Sequence, residues 1–349
     1  MTQQIKPILR LALVVMVAAV IGLGGAVSMA TAHPYLNSSE AGCDGSDPAV
    51  ILCDDFERGR WAVKINDGVS AQNDGWLITW VAGDNGATPW ATCGSAGALG
   101  TNCAAVAIGT SGGDGGGWVR GEHGYGPTPD QGAGGPITNW SRYREVWMRF
   151  YFKQSTNYVY NSSQKFITIG DATVGAGGID IAGIGRNTNI MEACPAYDCN
   201  LANGGTGYPN PCAFGGQRGY INQNQGVNID LSTMRGHWIF IEIHVKLNTY
   251  TGSTPNQDGE YDLWLNDCGT NGLGCGGTPT RRAHYSPSAG AGCGVRWNGD
   301  ETANCGSPSC RRIGKFFADF WGNPSDGGTI WWDQLKVKTS GPIGFAARR

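Results

Sequence analysis

The segment HWIFIEIHVKLNT (237–249) alternates strictly. Ile239, Ile241, Ile243, Val245 and Leu247 fall on one side of an extended chain, and Trp238, Phe240, Glu242, His244 and Lys246 on the other. Period two predicts a β-strand, because successive side chains of extended backbone point to opposite faces. EVWMRFYFK (145–153) repeats the plan: Val146, Met148, Phe150 and Phe152 on one side, Glu145, Trp147, Arg149, Tyr151 and Lys153 on the other. Further strands are predicted at VILCDDF (50–56), WLITWV (76–81), AAVAIG (104–109), KFITIG (165–170), GIDIAG (178–183), YDLWLN (261–266), GKFFADF (314–320) and IWWDQLKVK (330–338). Turn residues separate them, and no window carries apolar positions at helical spacing. The chain reads as all-β.

Strands reach both ends without a Pro- or Ser-rich linker, so a single domain over 43–345 is the simplest division, preceded by a short segment over 33–42. Two stretches, 186–226 and 267–312, lack strand patterning and are expected to be long loops. GWVRGEHGYG (117–126) holds Arg120, Glu122, His123 and Tyr125, and its glycines suggest a loop or bulge at a groove edge. GAGGIDIAG and GDGGG do not make phosphate loops, since no helix follows and no G-K-[ST] closes either motif. N-x-[ST] sequons stand at Asn37, Asn139 and Asn161.

The N-terminus changes the picture of where the protein works. Lys6 and Arg10 precede the apolar run LALVVMVAAVIGLGGAV, and Ala30-Thr31-Ala32 offers a cleavage site. Residues 1–32 therefore read as a secretory signal peptide rather than an uncleaved anchor. Its removal takes away two basic residues and no acidic one, moving the formal net charge from −3 to −5. That excludes a broad basic surface for nucleic acid or anionic membrane. No later apolar run has the ~20 residues needed to span a bilayer. A secreted or extracellular protein is expected, with periplasm or cell surface as variants; oligomeric state is not legible.

All twelve cysteines lie after that segment. An even number in an exported chain predicts disulfides, and zinc is disfavoured because no C-x-x-C pair or suitably spaced His occurs. Connectivity does not follow from sequence. Neighbouring cysteines suggest Cys43–Cys53, Cys93–Cys103, Cys268–Cys275 and Cys305–Cys310, and leave Cys194, Cys199, Cys212 and Cys293 unassigned.

The second faces of the two leading strands are unusual. A solvent face is ordinarily Thr, Ser, Lys and Glu. Here Trp147, Phe240, Tyr151, Arg149, Glu242, His244 and Lys246 combine flat aromatics with directional hydrogen-bonding groups. That mixture suits pyranose rings, although ordinary cross-strand pairs beneath a loop would use the same residues.

In order along the chain, ILCDDFE, YREVWMRFYFKQS, HWIFIEIHVKLNT, DGEYDLWLND and GTIWWDQLKVKTSGPIG resemble the concanavalin A-like lectin/glucanase jelly rolls. Within these the chain is similar to polysaccharide lyases of the alginate, glucuronan and heparin type. The resemblance implies a two-sheet antiparallel jelly-roll sandwich whose concave sheet forms a sugar groove. The cysteine-rich insertions have no counterpart in it. It also implies a structural calcium tying first strand to last, with Asp333 and either Glu57 or Asp55 as ligands, and no cofactor for catalysis.

The residues discriminate among chemistries within that group. A retaining hydrolase needs two carboxylates on one face, as in E-x-D-x-E. Glu260-Tyr261-Asp262-Leu263-Trp264 places a Trp where the third acid belongs, so hydrolysis is disfavoured. A lyase must neutralise a uronate carboxylate, remove the C5 proton and protonate the leaving oxygen. Arg149, His244 and Tyr151 offer those three roles, with Glu242, Lys246, Trp147, Phe240 and Arg120 binding substrate. The alginate-lyase signatures R-x-E-L-R, Q-I-H and Y-x-K-A-G-x-Y are absent as such. The expectation is a secreted lyase cleaving a uronate-containing polysaccharide. A non-catalytic glycan-binding or structural cell-surface protein is the alternative.

Overall fold

A computed structural model describes residues 36–57, 63–64, 76–82, 88–92, 97–99, 102–108, 118–124, 143–159, 164–171, 180–187, 190–194, 230–252, 254–256, 258–289, 313–321 and 328–347. All belong to the compact unit Pro34–Arg349. Strands are numbered β1 to β18 in chain order. No α-helix occurs among the described residues, which form the all-β, two-sheet jelly-roll sandwich expected.

The first sheet runs β1 (Leu36–Asn37), β2 (Val50–Asp54), β18 (Gly328–Lys338), β8 (Glu145–Gln154), β12 (Trp238–Lys246), β15 (Glu260–Asp267) and β16 (Arg281–Tyr285). β5 (Thr88–Thr92) joins it through β6 (Ala104–Ile108), which pairs with β18. The second sheet runs β11 (Ile190–Cys194), β10 (Asp180–Asn187), β9 (Gln164–Asp171), β17 (Ile313–Trp321), β7 (Trp118–Gly124), β4 (Trp76–Ala82) and β3 (Val63–Lys64). Pairing is antiparallel except for the short β1–β2 and β3–β4 contacts. β13 (Tyr250–Thr251) and β14 (Thr254–Pro255) make a separate hairpin.

Register explains the packing. β12 sits between β8 and β15, with Ile239 opposite Phe152, Ile241 opposite Phe150 and Leu265, and Ile243 opposite Met148 and Leu263. Every one of these side chains is at most 1 % exposed. β18 adds Ile330, Trp332 and Val337 to the same core. This apolar stripe was legible in the alternation of the sequence.

Three sequence expectations change. Residues 118–124 form a strand rather than a loop: β7 runs between β4 and β17 inside the second sheet. The glycines Gly121 and Gly124 are accommodated because the ladders on both sides hold the backbone extended. The stretch 186–226 begins with strand, since β10 runs to Asn187 and β11 follows. The stretch 267–312 contains β16, an edge strand of sequence RRAHY whose pairing comes from backbone, not from an alternating pattern.

Disulfides Cys43–Cys53 and Cys268–Cys275 form as expected. Cys103 is disulfide-bonded, while Cys93, Cys305 and Cys310 lie outside the described residues. Among the described residues no cysteine is free. No helix among them is long and apolar enough to cross a membrane.

Candidate functional site

The polar and aromatic positions of β8 and β12 do share one face. Register places Glu242 opposite Arg149, Phe240 opposite Tyr151, His244 opposite Trp147 and Lys246 opposite Glu145. The expectation that this face is an open groove is overturned. Trp238, Phe240, Tyr151, Arg149, Glu242 and His244 are all buried. The cover comes from chain ends and loops that the strand pattern does not mark.

From the C-terminal side, Phe345 packs edge-on against Phe240 at 4.6 Å between ring centroids. Glu242 accepts the backbone N–H groups of Ile343 at 2.9 Å and Gly344 at 2.8 Å. Burial pushes the Glu242 carboxyl above its usual range despite those two donors. The Ala346 N–H donates to the Tyr151 hydroxyl at 3.1 Å, and burial raises the Tyr151 phenol as well. Ala98, Cys103, Cys268 and Ala346 complete an apolar cluster with Tyr151, Trp238 and Phe240.

From the N-terminal side, Glu40 meets Arg149. The guanidinium Nη1 donates to Glu40 Oε1 at 3.0 Å, Nη2 to Oε2, and Nε to the Gln334 carbonyl at 3.1 Å. Lys336 adds a second cation, 3.1 Å from Glu40 Oε1. Burial alone would raise the Glu40 carboxyl, but the adjacent Arg149 and Lys336 charges outweigh it and hold it low. His244 lies between two carboxylates, Nδ1 3.0 Å from Asp262 Oδ2 and Nε2 3.0 Å from Glu145 Oε1. Trp147 stacks on its ring at 4.0 Å. Lys246 pairs with Glu260 at 2.6 Å, which raises the Lys246 ammonium. The signal for this use was present in Glu40, a carboxylate near a Cys-bracketed turn, but nothing in local pattern linked it to Arg149, 109 residues away.

The second sheet assembles a different face. Register places Arg120 opposite Asp319 and Trp80, Glu122 opposite Phe317 and Leu77, and Trp118 opposite Trp321. Lys315 pairs with Gly124, and Thr168 on β9 pairs with Phe317. Alternation therefore puts Trp80, Trp118, Arg120, Glu122, Thr168, Lys315, Asp319 and Trp321 on one side of this sheet, together with the apolar Leu77 and Phe317. The other side takes Val119, Gly121, His123, Ile167, Ile169, Phe316, Ala318 and Phe320, an almost wholly apolar set. His123 thus falls with the apolar positions, apart from Arg120 and Glu122. Tyr125 lies outside the described residues. Sequence reasoning gave Arg120 and Glu122 but missed Lys315 and Asp319, because GKFFADF reads as a core strand until its partner is known.

For a metal, the donor chemistry near Asp333 is suitable in part. Asp333 is fully buried, and burial pushes its carboxyl well up, with the charges of Glu57 and Asp55 adding to the effect. A divalent cation would relieve that. The oxygens already have partners, however: Asp333 Oδ2 accepts from Ala98 N at 2.7 Å, and Oδ1 accepts from Gln334 N at 2.7 Å. Glu57 accepts from the Asn102 N–H at 3.1 Å. Among the described residues no three His, Cys, Asp or Glu side chains converge closely enough to hold an ion. Charge is present without a closed shell of side-chain ligands.

No protein-family model matches the sequence, and no curated protein matches it. Several solved structures align with it at low sequence identity. An endo-β-1,4-glucuronan lyase from the fungus Trichoderma reesei aligns at 12% identity and TM-score 0.43 over 75% of this chain and 91% of its own. The cellulose induced protein Cip1 aligns at 15% and 0.48 over 84% and 99%. An alginate lyase, vAL-1 from Chlorella virus, aligns at 12% and 0.45 over 76% and 93%.

Proposed function

We propose that this chain is an exported carbohydrate-active protein, a lyase that cleaves a uronate-containing polysaccharide by β-elimination. The observation that carries the reading is the register of the second sheet. It gathers Arg120, Glu122, Lys315 and Asp319 with Trp80, Trp118 and Trp321, and with Leu77 and Phe317 beside Glu122, on the face opposite the apolar one. Tryptophans offer stacking area for sugar rings. Arg120 is suited to neutralise the uronate carboxylate, and Lys315 and Glu122 are the titratable groups for removing the C5 proton and protonating the leaving oxygen. In this reading Arg149, Tyr151, Glu242 and His244 build the framework, since their hydrogen bonds are made within the chain. Disulfides Cys43–Cys53 and Cys268–Cys275 support an oxidising compartment.

The same three tryptophans favour a second reading, glycan binding without turnover. Absorbance of the unsaturated uronate during incubation with a polysaccharide panel separates the two. The lyase gives a rise that Arg120→Ala abolishes while the melting temperature holds; binding with no rise on any polymer supports the second reading. A calcium ion beside Asp333 belongs to the proposal as a structural ion only, supported by the buried charge and dependent on backbone carbonyls for the remaining ligands. Chelator should lower the melting temperature, and Asp333→Ala should remove the difference; a melt unchanged by chelator disposes of the ion.

A further inference from the structure

The edge of the first sheet holds a cluster that the lyase reading does not use. β15 and β16 pair so that Asp262 stands opposite His284. Asp262 Oδ1 lies 2.5 Å from His284 Nδ1. An ionised carboxylate only accepts, so the imidazole places its proton on Nδ1 and leaves a lone pair on Nε2. That lone pair faces the Ser286 hydroxyl, 3.1 Å away. The Ser286 oxygen in turn lies 2.6 Å from the hydroxyl of Ser288, which is free to donate to it.

The second oxygen of Asp262 is held by His244 Nδ1 at 3.0 Å, and the Arg281 guanidinium stands 3.5 Å from Oδ1. Carboxylate, imidazole and hydroxyl are thus joined in the order that activates a serine, each link within hydrogen-bonding distance. β16 closes the sheet on this side with no further strand among the described residues, and the His284 side chain keeps 26% of its surface open. Asp262 is 8% exposed, so its pull on the imidazole is little screened.

We propose that Ser286 is a nucleophile for acyl transfer from small esters, with His284 as general base and acid and Asp262 as the positioning residue. Ser286 Oγ attacks the ester carbonyl carbon as its proton passes to His284 Nε2. The carbon–oxygen bond to the alcohol breaks, and the alcohol leaves with that proton, giving an acyl-serine. Water then attacks the acyl carbon, its proton passing through His284 to Ser286, and the carboxylic acid is released. Ser286 is only 2% exposed, which restricts the acyl group to a short one such as acetyl. No sugar enters the step, so the assignment stands or falls independently of the lyase.

The test uses the full chain with a fluorophosphonate and, separately, p-nitrophenyl acetate. Intact and fragment mass spectra should show one phosphonyl adduct, located on Ser286. Ser286→Ala should lose both adduct and acetate release. His284→Ala should slow both by about 100-fold or more. Ser288→Ala should still be labelled at Ser286. Asp262→Asn should lower kcat with KM unchanged, a split that a purely structural loss would not produce. Absence of adduct on the folded wild-type chain, or an adduct on Ser288 or elsewhere, overturns the proposal. Because fragmentation locates the adduct in the wild-type protein, the outcome does not depend on any variant folding.

Discussion

Glu40 and Arg149 show how much a single pair decides. Arg149 is completely buried on the face of the first sheet, and its charge is tolerable there because Glu40 matches the guanidinium fork with both oxygens. Removing the carboxylate leaves a buried cation without its counter-ion, and Glu40→Gln should cost about 3–5 kcal/mol near pH 7. The pH dependence has a defined sign. The Glu40 pKa is lowered by folding, so its stabilisation is present above the unfolded value and disappears as pH falls through the folded one. Urea unfolding of wild type and Glu40→Gln should therefore converge in acid; a difference constant from pH 7 to pH 2 would refute the pairing. His244 and Tyr151 follow the same logic of partnership. Their types suggested chemistry, while the neighbours Asp262, Glu145 and Ala346 give them structural work.

At the scale of elements, β12 is a strand buried on both faces, although its sequence alternates like a half-buried one. Its isoleucines enter the core between the sheets, and its aromatic and charged positions are roofed by the segment ending at Ala346 and by the loops around Ala98 and Cys268. Ile241→Ala removes a side chain packed against Phe150 and Leu265 positions and should cost roughly 2–5 kcal/mol. Equilibrium denaturation should show a lower midpoint at unchanged m; a loss below ~1 kcal/mol would mean the site collapses or is less packed than described. β7 teaches the complementary lesson. Its glycines suggested a loop, but strands on both sides supply the ladder that glycine itself does not favour.

For the whole molecule, two short disulfide loops hold segments that the sheets alone do not fix. Cys43–Cys53 ties the turn before β2 to that strand, and Cys268–Cys275 closes the loop after β15 beneath Trp238. Each should contribute on the order of 2–3 kcal/mol, chiefly by restricting the unfolded chain. Reduction should lower the melting temperature, and hydrogen exchange should accelerate first around 266–277. Protection there that is identical in reduced and oxidised protein would count against this assignment.

The alternation of apolar residues by itself determined the strand content and the core face of β8 and β12, because period two is a local property of extended backbone; the jelly-roll class came from the resemblance of the ordered motifs. Cysteine number and spacing determined that the loops are stapled. Which second face is covered was decided only by tertiary structure. Glu40 and the 343–346 segment reach Arg149, Glu242 and Tyr151 across 101 to 195 residues of sequence, and no local pattern encodes such a contact. The same holds for Arg120 opposite Asp319 and for Asp262 opposite His284. These juxtapositions come from strand register, and register is set by long-range pairing whose entropy cost is met only when the whole sheet forms.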